Sequence, residues 1–336
     1  MKLSAIIATL VGLGIAAALV MMSGAADIGR AILAAGWGIV LVLALHVPQM
    51  ICSGQAWRSV VISPATPSPL SFLGLRLIRE GVNALLPVAQ IGGEFVAARL
   101  MALRGVSLSA AGAGVTVDLT LEMLSQVAFT LLGLGLLLIG VQDMQIVRWT
   151  IVGTSVALGV LALFICVQRF GLFSWLERGL LRLAEKQNWK GLKDVAGLHQ
   201  DIVALYKSPR RLCLGTGFHF LSWLLGGAEV WAAFHVVGVP VGWRESLIVE
   251  SLGQAFRALG FAIPGALGVQ EGGLVLICAL LGIEQQAALE LSMLKRVREI
   301  ILGVPGLVAW HWIEGRNLAG KAGASPQDDI SPEKTA

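Results

Sequence analysis

Two groups of charged residues lie inside apolar stretches of the sequence, where a charge needs a partner. Asp118 and Glu122 are four residues apart, so they share one face of a helix. The second group falls within about one helical turn and consists of Lys295, Arg296, Arg298 and Glu299. A charge near the centre of a membrane helix costs at least about 2.5–3.5 kcal/mol. Both groups therefore predict either buried ion pairs or a polar site for a ligand.

Two further carboxylates, Glu94 and Glu271, each follow a proline in an apolar segment that cannot form one continuous helix. Proline removes a helix donor, and glycine adopts backbone geometries that other residues resist. Each segment is therefore predicted to form two short helices that meet at a break. The residues expected to form the breaks are Asn83, Pro87 and Gly93 in the first segment and Pro264, Gly265, Gly268, Gly272 and Gly273 in the second.

The two broken segments are related by an internal repeat. A shift of 177 residues places Pro87 on Pro264 and Glu94 on Glu271. Interrupted segments at matching positions in two halves are typical of transporters built from repeats, whose site lies at the interface between the repeats. We therefore predict that the buried acidic and basic residues meet at such an interface.

The same shift places Lys295 opposite Asp118, and we expect these two side chains to pair. Glu122 is then expected to pair with Arg296 or Arg298. Two interpretations stay open, namely structural ion pairs that fix the helix register and a site for binding or translocation. For the carboxylates at the breaks, the structural alternative is that each accepts N–H groups freed by the break.

Arg99 follows the first broken segment and is a candidate for binding a lipid phosphate. An equally good interpretation is that its side chain reaches the membrane surface as an anchor. We include it among the candidate translocation residues.

The composition indicates a helical protein that crosses a membrane several times, because 56% of the residues are hydrophobic and only 14% are charged. The predicted fold class is an all-α polytopic membrane protein with about six spanning helices and two broken re-entrant segments in inverted repeats. The predicted spans are 3–22, 31–51, 108–139, 149–167, 212–237 and 287–312.

The cysteines and histidines show no metal-ligand spacing, and no nucleotide-binding glycine motif is present. We therefore expect no cofactor, no metal and no nucleic-acid partner.

The distribution of basic residues divides the chain and orients it. The predicted parts are a first membrane half (1–168, with re-entrant segment 70–104), a basic amphipathic linker (169–211), a second membrane half (212–314, with re-entrant segment 246–282) and a disordered tail (315–336). The positive-inside rule places the linker and both termini in the cytoplasm. With this orientation the two broken segments enter the membrane from opposite faces.

Two blocks of the sequence resemble a known family. The first block consists of Arg79, Asn83, Pro87, Gly93-Glu94, Arg99 and Gly105. The second consists of Pro264-Gly265, Gly268, Glu271-Gly272-Gly273, Gly282, Lys295-Arg296 and Arg298-Glu299. Together they resemble the flippase-like membrane region of bacterial lysylphosphatidylglycerol synthases. FAIPGALGVQEGG and LKRVREI are most similar to the HpnL branch, membrane proteins associated with hopanoid biosynthesis.

This resemblance implies an inner-membrane protein that moves a lipid between leaflets, with a hopanoid or an anionic phospholipid as its partner. The larger family members carry a soluble aminoacyl-transferase domain, which we do not find in this sequence, so we do not expect transferase activity. Two alternatives stay open. One is a membrane enzyme that modifies a lipid headgroup with the buried carboxylates, and the other is a scaffold that holds lipid-biosynthesis enzymes through the basic linker.

Overall fold

The computed structural model describes residues 36–86, 92–139, 197–260, 263 and 266–323, with side chains as far as residue 317. All regular elements in these ranges are helices, which confirms the predicted helical class. They are α1 (Gly38–Ser59), α2 (Pro69–Leu85), α3 (Gly92–Ala102), α4 (Leu108–Leu138), α5 (Leu198–Tyr206), α6 (Pro209–Val236), α7 (Trp243–Leu259), α8 (Val269–Leu280) and α9 (Gln285–Gly323).

Local sequence signals explain where two of the central helices begin. The Ser68 hydroxyl accepts a hydrogen bond from the Ser71 backbone N–H at 3.3 Å, and a proline follows it at the first position of α2. The Ser107 hydroxyl accepts from the Ala110 N–H at 3.2 Å and caps α4 in the same way. Such caps satisfy backbone donors that have no partner inside the helix.

In both segments that were predicted to be broken, one helix ends and a second helix begins. The first comprises α2 and α3, and the second comprises α7 and α8. Gly268 lies in the second break with a φ of 80°, a left-handed conformation that favours glycine. The predicted break residues Pro87, Pro264 and Gly265 lie outside the described residues. The re-entrant and inverted arrangement of the two segments stays a prediction.

Within the described ranges, α1 and α4 are long and apolar enough to cross a membrane. The predicted spans 3–22 and 149–167 lie outside the described residues, so the number of six spans stays a prediction.

The helix predicted at 31–51 ends later, at Ser59. Trp57, near the end of this helix, is completely buried against Phe72. The last helix continues to Gly323, although a disordered tail was predicted from residue 315.

The described helices form two separate apolar cores. The first core packs α1, α2, α3, α4 and α5 together and includes Trp57, Phe72, Leu75, Ile78, Leu100, Val117 and Ile202. The second core packs α1, the end of α4, α6, α7, α8 and α9 together and includes Val42, Leu137, Val230, Phe234, Ile248, Leu274, Leu291 and Leu294.

The charged residues of two long helices lie between these cores. On α1, Val42 belongs to the second core and Trp57 to the first, and the polar residues of the helix lie between them. On α9, Leu294 belongs to the second core, Leu307 packs against the first, and the charged turn 295–299 separates the two. The fold therefore places a polar layer between two apolar regions.

Candidate functional site

Arg79 on α2 is the centre of the first group of buried charges. Its Nε atom donates to Glu94 Oε1 at 2.8 Å, and its Nη1 atom donates to Asp118 Oδ2 at 2.6 Å. Its Nη2 atom donates to Glu122 Oε2 at 3.0 Å. The Arg79 side chain is 3% exposed, and one guanidinium group thus joins carboxylates from α3 and α4 to α2. A planar guanidinium group suits this role because its donors point in several fixed directions.

Arg76 and His219 extend this group at two sides. Arg76 donates to Glu122 Oε1 at 2.8 Å and to Glu80 Oε1 at 2.8 Å. His219 on α6 contacts Asp118 Oδ1 through Nε2 at 2.8 Å, and both side chains are buried. We call Arg76, Arg79, Glu80, Glu94, Asp118, Glu122 and His219 the first cluster.

Asn83 closes the break between α2 and α3. Its Oδ1 atom accepts from the Gly93 backbone N–H at 2.8 Å, and its Nδ2 atom donates to Glu94 Oε2 at 3.1 Å. A side chain at position 93 would not fit, because its Cβ would lie 2.4 Å from the Arg79 carbonyl oxygen. The predicted break residues Asn83 and Gly93 therefore bring Glu94 into the cluster.

A second group of buried charges lies around α9. Arg298 donates to Glu229 on α6, Lys295 donates to Glu250 on α7, and Arg257 on α7 donates to Glu299. Arg296 Nη1 donates to Glu299 Oε2 at 3.1 Å, and Arg296 Nη2 donates to Glu271 Oε1 at 3.1 Å. The second cluster therefore consists of Glu229, Glu250, Arg257, Glu271, Lys295, Arg296, Arg298 and Glu299.

Glu271 has both of the roles that we considered from the sequence. Its Oε2 atom accepts from the Gly268 backbone N–H at 2.6 Å, which caps α8 at the break. Its Oε1 atom accepts from Arg296 and from the Ser292 hydroxyl at 3.3 Å. Gly273 allows α8 to approach α7, because a Cβ there would lie 2.5 Å from the ring of Phe256. Gly272 has open space around it.

His46 on α1 links the two clusters. Its Nε2 atom lies 3.4 Å from Glu80 Oε2 in the first cluster, and its Nδ1 atom lies 3.0 Å from Glu229 Oε2 in the second. Gln49, one turn later on α1, donates to the same Glu229 oxygen at 2.6 Å.

An unbroken series of polar contacts therefore runs from one break to the other. The Arg298–Glu299 ion pair, at 3.8 Å, completes the series within the second cluster. In order, its members are Glu94, Arg79, Glu122, Arg76, Glu80, His46, Glu229, Arg298, Glu299, Arg296 and Glu271. We call this series the charge chain.

The repeat predicted from the sequence is visible in one pair of contacts. Glu122 and Glu299 are related by the 177-residue shift, and each accepts from an arginine on the first helix of its own broken segment. The two arginines correspond almost as well, because a shift of 177 residues places Arg79 one position before Arg257. The two halves therefore use the same kind of contact between the broken segment and the long helix after it.

The predicted partners of the buried charges were wrong. Asp118 pairs with Arg79 and His219, whereas Lys295 pairs with Glu250. Glu122 pairs with two arginines on α2 and not with the basic turn of α9. Each acidic or basic group thus finds its main partner within its own cluster, because Arg79 and Arg257 reach from the first helix of each broken segment to carboxylates on the following long helix.

The structure places Arg99 outside both clusters. Its side chain is 56% exposed and pairs with Glu314 at 2.6 Å, near the end of the described side chains of α9. Its role in binding a lipid stays a prediction.

The sequence does not single out several residues that the structure places in or between the clusters. In the sequence, His46 and His219 show no metal-ligand spacing, and Glu229, Glu250 and Arg257 are not part of the two charged groups. The signal that identifies them is the same one that identifies Asp118, namely a polar residue inside an apolar helical stretch. A group of charges, or a carboxylate beside a break, carries this signal more plainly than a single residue does.

Asp118, Glu122 and His219 also offer three atoms within 4.8 Å of one another, a spacing that suits metal ligands. Arg79 already donates to both carboxylates and supplies the positive charge that a cation would bring. The chemistry of this set is therefore that of a buried ion-pair network, and we assign no metal to it.

Comparison with known protein families gives one result that covers most of the chain. Residues 8–306 match the model of a family described as the lysylphosphatidylglycerol synthase TM region. Searches of curated proteins and of solved structures gave no match.

Proposed function

Because the chain belongs to the lysylphosphatidylglycerol synthase TM region family and is therefore a membrane protein, we propose that it moves a lipid between the two leaflets of the bacterial inner membrane. The observation that supports this proposal is the charge chain, which begins at one break and ends at the other. Broken helices with polar groups at matching positions are a common way to build a transport site inside a membrane.

The cost of moving a polar headgroup through hydrocarbon explains why such a chain would be useful. A polar group that enters hydrocarbon without a hydrogen-bonding partner costs on the order of several kcal/mol of free energy. A headgroup that leaves water must therefore find such partners in the protein. The polar layer between the two apolar cores offers carboxylate, guanidinium and amide groups along one connected path. The headgroup would exchange contacts along this path while the apolar part of the lipid stays in the bilayer.

We favour an isoprenoid-derived lipid such as a hopanoid as the cargo, with an anionic phospholipid as the alternative. The support for a hopanoid is the resemblance of the second break and of the charged turn of α9 to proteins associated with hopanoid biosynthesis. A cytoplasmic location of both termini, and contact with lipid-biosynthesis enzymes through the basic linker, belong to the same proposal.

Reconstitution of the purified protein into vesicles tests the proposal. The vesicles would contain either a fluorescent phosphatidylglycerol or a fluorescent hopanoid with a polar head, and an impermeant quencher would measure how fast the probe leaves the inner leaflet. We expect one of the two probes to move when the vesicles contain wild-type protein. The rate of its movement should be at least about tenfold lower with the Glu271→Gln variant. A hydrogen bond to a charged group is worth about 1.5–3 kcal/mol, and ~1.4 kcal/mol in a barrier changes a rate tenfold.

Glu290→Gln is the matched control, because it makes the same substitution on α9 at an exposed contact with Gln286 that lies outside the charge chain. We expect it to move lipid at nearly the wild-type rate. Failure of both probes to move in wild-type vesicles would contradict the transport proposal. A chemically altered lipid, detected by mass spectrometry of the same vesicles, would favour a membrane enzyme.

A further inference from the structure

The imidazole ring of His46 lies between two carboxylate groups that come from different clusters. Nδ1 lies 3.0 Å from Glu229 Oε2, and Nε2 lies 3.4 Å from Glu80 Oε2. The ring is largely buried, with 12% of the side chain exposed. His46 therefore contacts a carboxylate at each of its two nitrogen atoms.

A neutral histidine ring cannot satisfy both contacts. One of its nitrogens carries a proton and donates, whereas the other has a lone pair and accepts. An ionised carboxylate only accepts hydrogen bonds, so one of the two contacts would bring two acceptors together. The geometry is satisfied when both ring nitrogens carry a proton.

The groups that face His46 are arranged around this extra proton. Glu80 comes from α2 and Glu229 from α6, and Gln49 on the same helix as His46 donates to Glu229 at 2.6 Å. Arg298 from α9 also pairs with Glu229, and its positive charge opposes that of a protonated ring. Glu80 also pairs with Arg76. The first cluster as a whole nevertheless has four carboxylates and two guanidinium groups, which leaves a place for a further positive charge.

We propose that His46 is a proton-binding site that joins the two clusters, and that release of its proton separates Glu80 from Glu229. The further consequence, that pH or a proton gradient controls lipid movement through this site, rests on the proposed function. The ligand is the proton itself, which moves between water and Nε2 without any change in covalent structure elsewhere.

Each carboxylate keeps other partners when the proton leaves. Glu80 retains its contact with Arg76 at 2.8 Å, and Glu229 retains its contacts with Arg298 and Gln49. Deprotonation would therefore weaken the connection between the clusters without leaving a buried charge unpaired in either one. A connection of this kind can open and close while the two clusters stay intact.

Nuclear magnetic resonance of the full chain in detergent micelles, with ¹⁵N-labelled histidine rings, tests the proton directly. At about pH 7.5 an exposed histidine ring is mostly neutral. We expect the wild-type spectrum to contain the signal of a doubly protonated ring that is absent from the spectrum of His46→Gln. His235 provides an internal reference, because its ring is exposed and contacts the backbone oxygen of Trp231.

Glu80→Gln makes the test independent of any loss of folding caused by changing His46. The glutamine amide can donate to Nε2, so a neutral ring then satisfies both contacts, and we expect the His46 signal to change from doubly to singly protonated. A singly protonated His46 ring in the wild type would overturn the proposal. So would a doubly protonated ring that persists unchanged in Glu80→Gln.

The consequence for transport is tested in the vesicle assay. We expect the wild-type rate of lipid movement to change severalfold between about pH 6 and about pH 8.5, a range in which histidine titrates. Glu80 is a member of the charge chain, so the Glu80→Gln rate should be lower throughout, but it should stay nearly constant over the same pH range. A wild-type rate that does not depend on pH would overturn this part. If no lipid moves in any vesicle, the transport function fails, but the resonance experiment still decides whether His46 holds the proton.

Discussion

The two clusters contain similar residues but differ in how their charges balance. The first cluster has four carboxylates and two guanidinium groups, from Glu80, Glu94, Asp118, Glu122, Arg76 and Arg79. The second has four carboxylates and four cationic groups, from Glu229, Glu250, Glu271, Glu299, Arg257, Lys295, Arg296 and Arg298. Among the described residues, the second cluster is therefore neutral, and the first has two more negative than positive charges.

This difference indicates where a mobile positive charge would bind. Buried charges are stable only when they are paired, so the first cluster needs further positive charge or hydrogen-bond donors. Two histidines, His46 and His219, contact carboxylates of this cluster. The second cluster needs no such addition.

The largest effect is expected at the centre of the first cluster. Arg79→Gln removes one guanidinium group from three carboxylates, and we expect the free energy of unfolding to fall by about 3–5 kcal/mol, the usual cost of breaking a buried pair on one side. Arg99→Gln is the control and should cost about 0–1 kcal/mol, because its pair with Glu314 is exposed. Thermal unfolding in detergent measures both.

If Arg79→Gln were as stable as Arg99→Gln, the first cluster would not hold α2, α3 and α4 together.

The second cluster should tolerate the removal of a complete pair. Lys295→Met leaves Glu250 buried without its cation, and we expect a loss of about 3 kcal/mol. The double variant Glu250→Leu with Lys295→Met replaces the pair by apolar groups and should recover stability to within about 1 kcal/mol of the wild type. A double variant less stable than the single one would show that Glu250 has important partners other than Lys295.

The smallest change in stability is expected for alanine substitutions beside the two breaks, and it should differ between them. Gly93→Ala places a methyl group 2.4 Å from the Arg79 carbonyl oxygen, and we expect a loss of about 1–3 kcal/mol from the strain. Gly272→Ala meets open space inside α8, so it should be neutral or stabilising by up to about 1 kcal/mol. Equal melting temperatures for the two variants would contradict the close approach of α3 to α2.

The positions of α4 and of the two breaks could be predicted because they depend on local signals. Proline, glycine and serine act on the backbone within a few residues, so the ends of α4 and both broken segments follow from the sequence. The 177-residue shift also identified Glu94 and Glu271 as corresponding residues, and both lie at breaks in contact with an arginine.

The partners of the charged residues could not be predicted, because they depend on how helices pack. A repeat relates backbone positions but does not decide which side chains meet across its axis. Asp118 pairs with Arg79, 39 residues earlier, because α3 packs against both α2 and α4 and the long Arg79 side chain reaches from α2 to α4. His46 was overlooked because a single histidine in an apolar helix gives no sign of the two carboxylates that approach it from α2 and α6.

The most direct test of the account is the rate of lipid movement in vesicles that contain Glu229→Gln. This change interrupts the charge chain near its middle, at the residue that contacts both His46 and Arg298, and leaves both breaks untouched. If the charge chain acts as a connected path, the rate of lipid movement with the folded variant should be at least about tenfold lower than with the wild type, as we expect for Glu271→Gln. A folded Glu229→Gln protein that moves lipid at the wild-type rate would contradict the central claim.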